Sequence, residues 1–354
     1  MNTIFIRLLK IFLKVPSSNL PKLNSIKNVI IIRQHNQLGD MLASVPLFRA
    51  IKENIPDCSI TLVVSPDNIN AVKQNEFISE IVLFDKKKLH SLKYLISLIN
   101  SLRSKTYEIG LVPTTVSISF TSGLLLRLVK CKYRIGPKSL DGKIFSGNYI
   151  FNESIDFDWR EKEDVHITQR ILRIIEPLKI TTKNFQSHIS VSNKDKLNAK
   201  EVFRGINSLK IGLHIGAGKI QNRWDVSNFV ELIKRLNSRY KPFFYLTIWQ
   251  WDEEILSELQ NKINFNPMIL RDKTIPEIAA VIDRSNLFIS NDTGIMHVAG
   301  ASSCPLISLF GPTNPKMWSP IGEKKYFIKN SNDINSIKVD DVLKLAEEIL
   351  NETN

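Results

Sequence analysis

The feature that most constrains this chain is an alternation of short apolar runs with helix-period stretches, played twice along 354 residues. In the first round, residues 29–32, 59–64, 81–84, 109–112 and 133–135 read as strands. Between them 41–54, 89–102 and a segment near 124–129 carry apolar residues at helical spacing. The second round sets strands at 210–214, 243–248, 268–270, 287–290 and 306–310 among helices at 226–239, 252–262, 275–284 and 295–301. Strand–helix alternation of this kind predicts parallel sheets covered by helices on both faces. A polar, aspartate-rich stretch (152–164), a helix (165–178) and a loose region up to 208 separate the rounds, so a boundary falls within 155–208. The expected fold class is therefore α/β, with two doubly wound domains facing each other across a cleft.

The composition suits that reading: 43% hydrophobic and 23% charged residues are ordinary for a globular protein. The net charge of +13 favours polyanionic partners, whether nucleic acid, an acidic membrane surface or a phosphorylated substrate. No zinc-finger spacing or basic run interleaved with aromatics supports the first of these, so no nucleic-acid partner is expected. The three cysteines, Cys58, Cys131 and Cys304, lack metal or redox spacing, which fits a reducing, intracellular compartment. No stretch approaches the roughly 20 apolar residues of a membrane span. At the N-terminus, 1–15 places Arg7, Lys10 and Lys14 on one stripe of a helix that is otherwise largely apolar. An interfacial helix on anionic lipid and a terminal helix packed on the protein body both satisfy that pattern. A Pro/Ser/Asn-rich connector (16–24) follows.

Chemistry concentrates at strand ends. Ser290-Asn-Asp-Thr-Gly-Ile-Met-His297 closes an apolar strand with an acid, a hydroxyl and a glycine. A helix starting near Thr293 puts Thr293 and His297 on one face, beside N–H groups that favour phosphate. The next strand ends in Leu309-Phe-Gly-Pro-Thr-Asn-Pro315, and two strand ends opening to one place make a pocket for a phosphorylated ligand. Gly212-Leu-His-Ile-Gly-Ala-Gly218, with Lys219, Arg223 and Trp224, opens the second round. Its amides and Arg223 suit phosphate oxygens, although a glycine turn with a surface arginine explains it as well. Trp224 reads as a packing residue. Asp252, Glu253 and Glu254 begin a helix, where carboxylates are usually dipole partners and can also hold ribose hydroxyls. In the first round, Gly39-Asp40 follows the first strand, and the motif alone favours a helix cap for Asp40. Neither a His-x-x-x-His nor a cysteine pair occurs, so no metal site is expected.

Together these residues resemble glycosyltransferase family 9, the bacterial lipopolysaccharide heptosyltransferases. The matching pieces are Gly39-Asp40 with Pro46, Gly212-x-His-x-Gly-Ala-Gly218 with Arg223-Trp224, Asn291-Asp-Thr-Gly-x-x-His297-x-Ala299 and Leu309-Phe-Gly-Pro-Thr-x-Pro315, in order over 26–320. The resemblance implies a GT-B architecture of two Rossmann-like domains and an inverting, metal-independent transfer that needs no cofactor beyond its nucleotide-sugar donor. After the basic N-terminal segment and connector (1–24), it implies an acceptor domain (25–180), a nucleotide-sugar domain (181–335) and a last helix (336–354) bracing the first domain. By the same resemblance Asp40 is the general base, while Gly218, Lys219, Arg223, Asp292, Thr293, Gly294 and His297 hold the diphosphate and sugar. Asp252 or Glu253 lies where such enzymes hold the ribose, and Lys273-Thr274 where they frame the base. Two positions depart from the family pattern: Asn222 stands where a lysine is frequent, and Asp225 where proline is frequent.

The resulting expectation is heptose transfer from ADP-heptose to a lipopolysaccharide core or related surface glycan, a lipid-linked or oligosaccharide acceptor. Transfer would occur in the cytoplasm, with peripheral contact to an anionic inner membrane. Acceptor contacts are expected from loops 114–121 and 138–143. A UDP- or GDP-sugar donor for capsule or O-antigen is the alternative within the same fold. A non-catalytic nucleotide- or glycan-binding protein is the alternative of another class.

Overall fold

The computed structural model describes residues 13–114 and 116–352, with the backbone alone at Gln250. The first twelve positions of the basic amphipathic stretch lie outside the described residues. The chain divides into two units, Met1–Phe185 and Gln186–Asn354.

In the first unit the order is β1 (Asn28–Arg33), α1 (Leu38–Leu42), α2 (Val45–Asn54), β2 (Ser59–Val64), α3 (Ile69–Val72), β3 (Glu80–Leu83), α4 (Leu92–Leu102) and β4 (Tyr107–Leu111). Then come α5 (Phe120–Leu128), β5 (Cys131–Leu140), β6 (Lys143–Ile144), β7 (Glu153–Phe157) and α6 (Ile167–Leu172). The strands run β3-β2-β1-β4-β5 in parallel, with β7 parallel to β5.

The second unit contains α7 (Asn193–Val202), β8 (Lys210–His214), α8 (Val226–Tyr240), β9 (Phe243–Thr247), α9 (Glu253–Lys262), β10 (Met268–Leu270) and α10 (Ile275–Ile282). It continues through β11 (Leu287–Asn291), α11 (Gly294–Gly300), β12 (Leu306–Leu309), α12 (Pro315–Trp318), β13 (Lys325–Ile328) and α13 (Val339–Glu352). Its sheet runs β10-β9-β8-β11-β12-β13, all parallel. That is the doubly wound order, in which ligands gather at the carboxyl ends where the strand order reverses, here between β8 and β11. Both faces of β11 and β12 are buried, which is why Leu, Phe and Ile occupy either face rather than alternating with charged residues. One face, through Leu287, Ile289, Ile307 and Leu309, packs on Phe229, Ile233, Leu259, Val342 and Ala346 of α8, α9 and α13.

Several expectations change. The helix expected over 41–54 is two helices, because Pro46 lies in the first turn of α2 and cannot donate to the turn before it. β7 occupies the stretch taken for a polar linker: Ile155 and Phe157 are buried on either side of exposed Asp156, a strand period hidden among acids. α7 fills part of the loose region, started by a reciprocal cap between Ser192 and Asp195. The segment 138–143 is a hairpin rather than an open loop, turned by Asp141 and Gly142 at φ 50° and 77°. The last helix packs on α8, β11 and β12. Leu350 on that helix is fully buried. Leu350→Ala should therefore cost about 2–5 kcal/mol. Hydrogen exchange should show the lost protection in β8–β13 and leave β1–β5 unchanged.

Candidate active site

The site grows from one buried amide. Asn291, the last residue of β11, is fully buried and so must place its polar atoms inside the protein. Its Nδ2 donates to the carbonyls of Ile215 (2.9 Å) and Gly216 (3.2 Å), and its Oδ1 accepts from the Trp224 N–H (3.2 Å). The loop after β8 is thereby tied to the end of β11. Gly216 is demanded by crowding: a Cβ there would lie 2.2 Å from Asp252 Oδ1. Gly218 is exposed with nothing near its would-be Cβ, so that end of the loop is open.

The residue after Asn291 is the meeting point. Asn222 Nδ2 donates to Asp292 Oδ2 (3.0 Å) and to its carbonyl (3.3 Å), and the Thr313 hydroxyl binds its carboxylate from the loop after β12. Burial raises the Asp292 pKa above the usual carboxylate value; the Thr313 bond and the charge of Lys219 pull the other way. The loops after β8, β11 and β12 thus converge on one carboxylate. Thr293 caps α11 with Oγ1 accepting from the Met296 N–H (3.4 Å), so the helix starts where the sequence placed it. His297 follows one turn on, 9% exposed, with its ring edge-on to Trp318 at 6.2 Å. At the other end of α11, Lys325 Nζ donates to the Ala299 (3.3 Å) and Ser302 (2.8 Å) carbonyls, closing the helix with a cation whose burial pushes it down to about 8.

Of the cations, Lys219 is exposed and Arg223 is half-buried, its Nε donating to the Ala217 carbonyl (2.7 Å). Trp224 packs, as its sequence position suggested: it meets Phe229 edge-on at 4.9 Å and donates Nε1–H to the Ile337 carbonyl (3.0 Å). Beneath the loop, the buried His214 shares Nδ1 with the Thr247 carbonyl (2.8 Å) and hydroxyl (3.1 Å). A carbonyl only accepts, so Nδ1 carries the hydrogen, and burial holds the ring's pKa below its usual value.

The remaining candidates stand apart. Asp252 is fully buried under Gly216; its Oδ2 accepts from the Trp249 N–H (3.1 Å) and its Oδ1 has no hydrogen-bond partner. Glu253 is exposed and paired with Arg271, and Lys273 is exposed. Thr274 closes a reciprocal cap with Glu277, Oγ1 to Oε2 at 2.8 Å. These four lie at the ends of β9 and β10.

In the first unit Asp40 is the third residue of α1 and 4% exposed; the N-cap is Gln37, so capping is not what Asp40 does. Arg33, buried at the end of β1, donates Nε–H to Ser44 Oγ (3.0 Å) and an Nη to the Asp40 carbonyl (3.0 Å), with Asp40 Oδ2 at 3.8 Å. Nearby, the ends of β1, β2 and β3 frame a cleft of about 180 Å³ lined by Gln34, Ser65, Asp67, Lys86 and Lys87 among others. Among the described residues no group of three or more His, Cys, Asp or Glu side chains is placed to hold a metal ion.

The model of glycosyltransferase family 9 (heptosyltransferase) matches residues 95–346, over two-thirds of the chain. The chain belongs to glycosyltransferase family 9. Lipopolysaccharide heptosyltransferase 3 of Escherichia coli K12 is 26% identical over 339 residues, covering 89% of this chain and 96% of the relative. The family 9 glycosyl transferase structure from Veillonella parvula superposes with a TM-score of 0.81 at 20% identity, over 95% of this chain and all of that one. The E. coli ADP-heptose lipopolysaccharide heptosyltransferase II structure gives 0.76 at 20% identity, over 93% and 99%. The fold is that of the GT-B heptosyltransferases, and the protein is a heptosyltransferase of this family.

Two residues of this heptosyltransferase had no role in the sequence reading. In the sequence Asn291 stands only as part of a motif; its signal is an amide at the end of a strand whose first three residues are apolar. Asn222 was noted as a departure, and its place beside Asp292 needed the fold. Because Asp292 is half-buried and its pKa is raised, ionising it costs the folded state stability at neutral pH. That cost is absent below the unfolded value near 3.8 and complete above the raised folded value. Asp292→Asn should therefore melt a few degrees higher than the unaltered protein at neutral pH, the gap closing in acid, while transfer is lost. Thermal scans from neutral to acid pH beside an activity assay check both.

Proposed function

We propose that this heptosyltransferase moves heptose from ADP-heptose to a lipopolysaccharide core or related surface glycan, inverting the anomeric centre without a metal. The observation that carries the donor half is the convergence of three strand-end loops on Asp292 at the reversal point of the second sheet. The donor itself comes from a solved relative whose name includes ADP-heptose.

In this reading the α11 start at Thr293 and Gly294 takes the diphosphate, with His297 one turn below. Lys219 and Arg223 offset the charge that grows on the departing ADP. The acceptor hydroxyl oxygen bonds to the anomeric carbon as the bond from that carbon to the diphosphate oxygen breaks. Asp40 takes the hydroxyl proton, held by Arg33 in the first turn of α1. Lys86 and Lys87, with Gln34 and Asp67, give the first unit's cleft both cations and oxygen acceptors, a set that suits an acidic sugar chain. The net charge of +13 supports work beside an anionic membrane. Among the described residues no helix is long and apolar enough to cross one.

Asn222 in place of a frequent lysine favours a second reading, in which the same site takes a UDP- or GDP-sugar. Calorimetry with ADP, UDP and GDP side by side decides between them: ADP should bind most tightly, and a preference for UDP would remove ADP-heptose. Asp40→Asn should abolish transfer, by roughly the hundredfold or more typical of a general base, while ADP affinity stays unchanged. Turnover surviving that substitution would show the base to be another group.

A further inference from the structure

We propose that Trp251, stacked on Trp249, is the platform on which the base of a purine nucleoside diphosphate lies. This deepens the donor reading above and rests on it. Trp251 is 65% exposed, a large apolar surface left in water directly after a core strand. It is not loosely placed. Its ring stacks on the half-buried Trp249 with centroids 6.0 Å apart and planes at 24°, an offset stack. The turn that carries both is pinned by Asp252, which is fully buried and accepts from the Trp249 N–H. One face of the exposed indole is therefore covered by its neighbour, and the other is open to a ligand.

The sheet order says which part of the ligand reaches it. The residues gathered on Asp292 stand over β8, β11 and β12, so the diphosphate sits over the β8–β11 gap and the sugar beyond it on the β12 side. On the other side β9 and β10 follow β8 in turn. Neighbouring strands lie about 4.8 Å apart, so the end of β10 is roughly 10 Å from that of β8, the reach of a nucleoside from its 5′ oxygen. The tryptophan pair follows β9 directly, and the exposed Arg271–Glu253 pair joins it to the end of β10. What arrives there is the base rather than the transferred sugar. A two-ring indole overlaps a purine more fully than a pyrimidine, which gives the site a reason to prefer adenine.

Calorimetry of the full chain with ADP, UDP and pyrophosphate tests this in the unaltered protein, Trp251→Ala and Trp251→Phe. Trp251→Ala should weaken ADP about 5- to 100-fold, the range of base–aromatic stacking, weaken UDP less, and leave pyrophosphate unchanged. Trp251→Phe should recover most of the ADP affinity, and ADP but not pyrophosphate should quench the unaltered protein's tryptophan fluorescence. Unchanged ADP affinity in Trp251→Ala, or an equal loss for pyrophosphate, overturns the platform and leaves the donor reading standing. Failure of ADP to bind the unaltered protein overturns the donor reading and this inference with it.

Discussion

The second unit's chemistry depends on the Asn291 side chain. A fully buried primary amide is expensive to leave unsatisfied, so the strands around it are built to meet its hydrogens and oxygen. Meeting them joins the loop after β8 to the end of β11 at the place where the sheet changes direction. With that loop held, Asn222 reaches Asp292 and Lys219 lies close enough to feel its charge. Gly216 and Asp252 complete the arrangement from below, because only a hydrogen fits between the loop and that carboxylate. The polar groups set the loop's position; apolar burial sets the strands' position.

Charge is arranged differently in the two units. In the second, a half-buried carboxylate is desolvated against its own interest and compensated by donors from two loops and a nearby ammonium. In the first, Asp40 is buried beside Arg33, whose own pKa is lowered by burial and raised by Asp40. Both carboxylates sit where an ion would be costly unless its partners are placed in advance, and such placement is what catalytic charge requires. Lys325 adds a third case: its ammonium closes the carbonyl end of α11 while Thr293 caps the amide end. The short helix is thus held at its start by its own N-cap and at its end by a side chain from β13.

Much of the frame was legible in the residues. The β8, β11 and β12 strands showed as apolar runs, and the Thr293 cap with His297 a turn later follows from helix geometry alone. Other pieces were hidden for specific reasons. β7 carries its two buried residues among acids, and α7 has one fully buried residue to mark its face, so neither has a long apolar period. Asp40 sits in helix-capping company, and only the coordinates show Gln37 at the cap and Arg33 behind the carboxylate. Thr274 caps α10 because Glu277 stands three residues on, a pattern the sequence did contain.

By itself the sequence determined the strand–helix alternation, the strand-end motifs and hence the family, because these depend on short-range periodicity and on residues adjacent in the chain. The tertiary structure decided what is adjacent only in space. It set Asn222 and Thr313 on Asp292, Asp252 beneath Gly216, and α13 in the second unit's core. An amphipathic helix records that it has an apolar face but not which surface will cover it, and a buried carboxylate records nothing of the donors that distant loops bring to it.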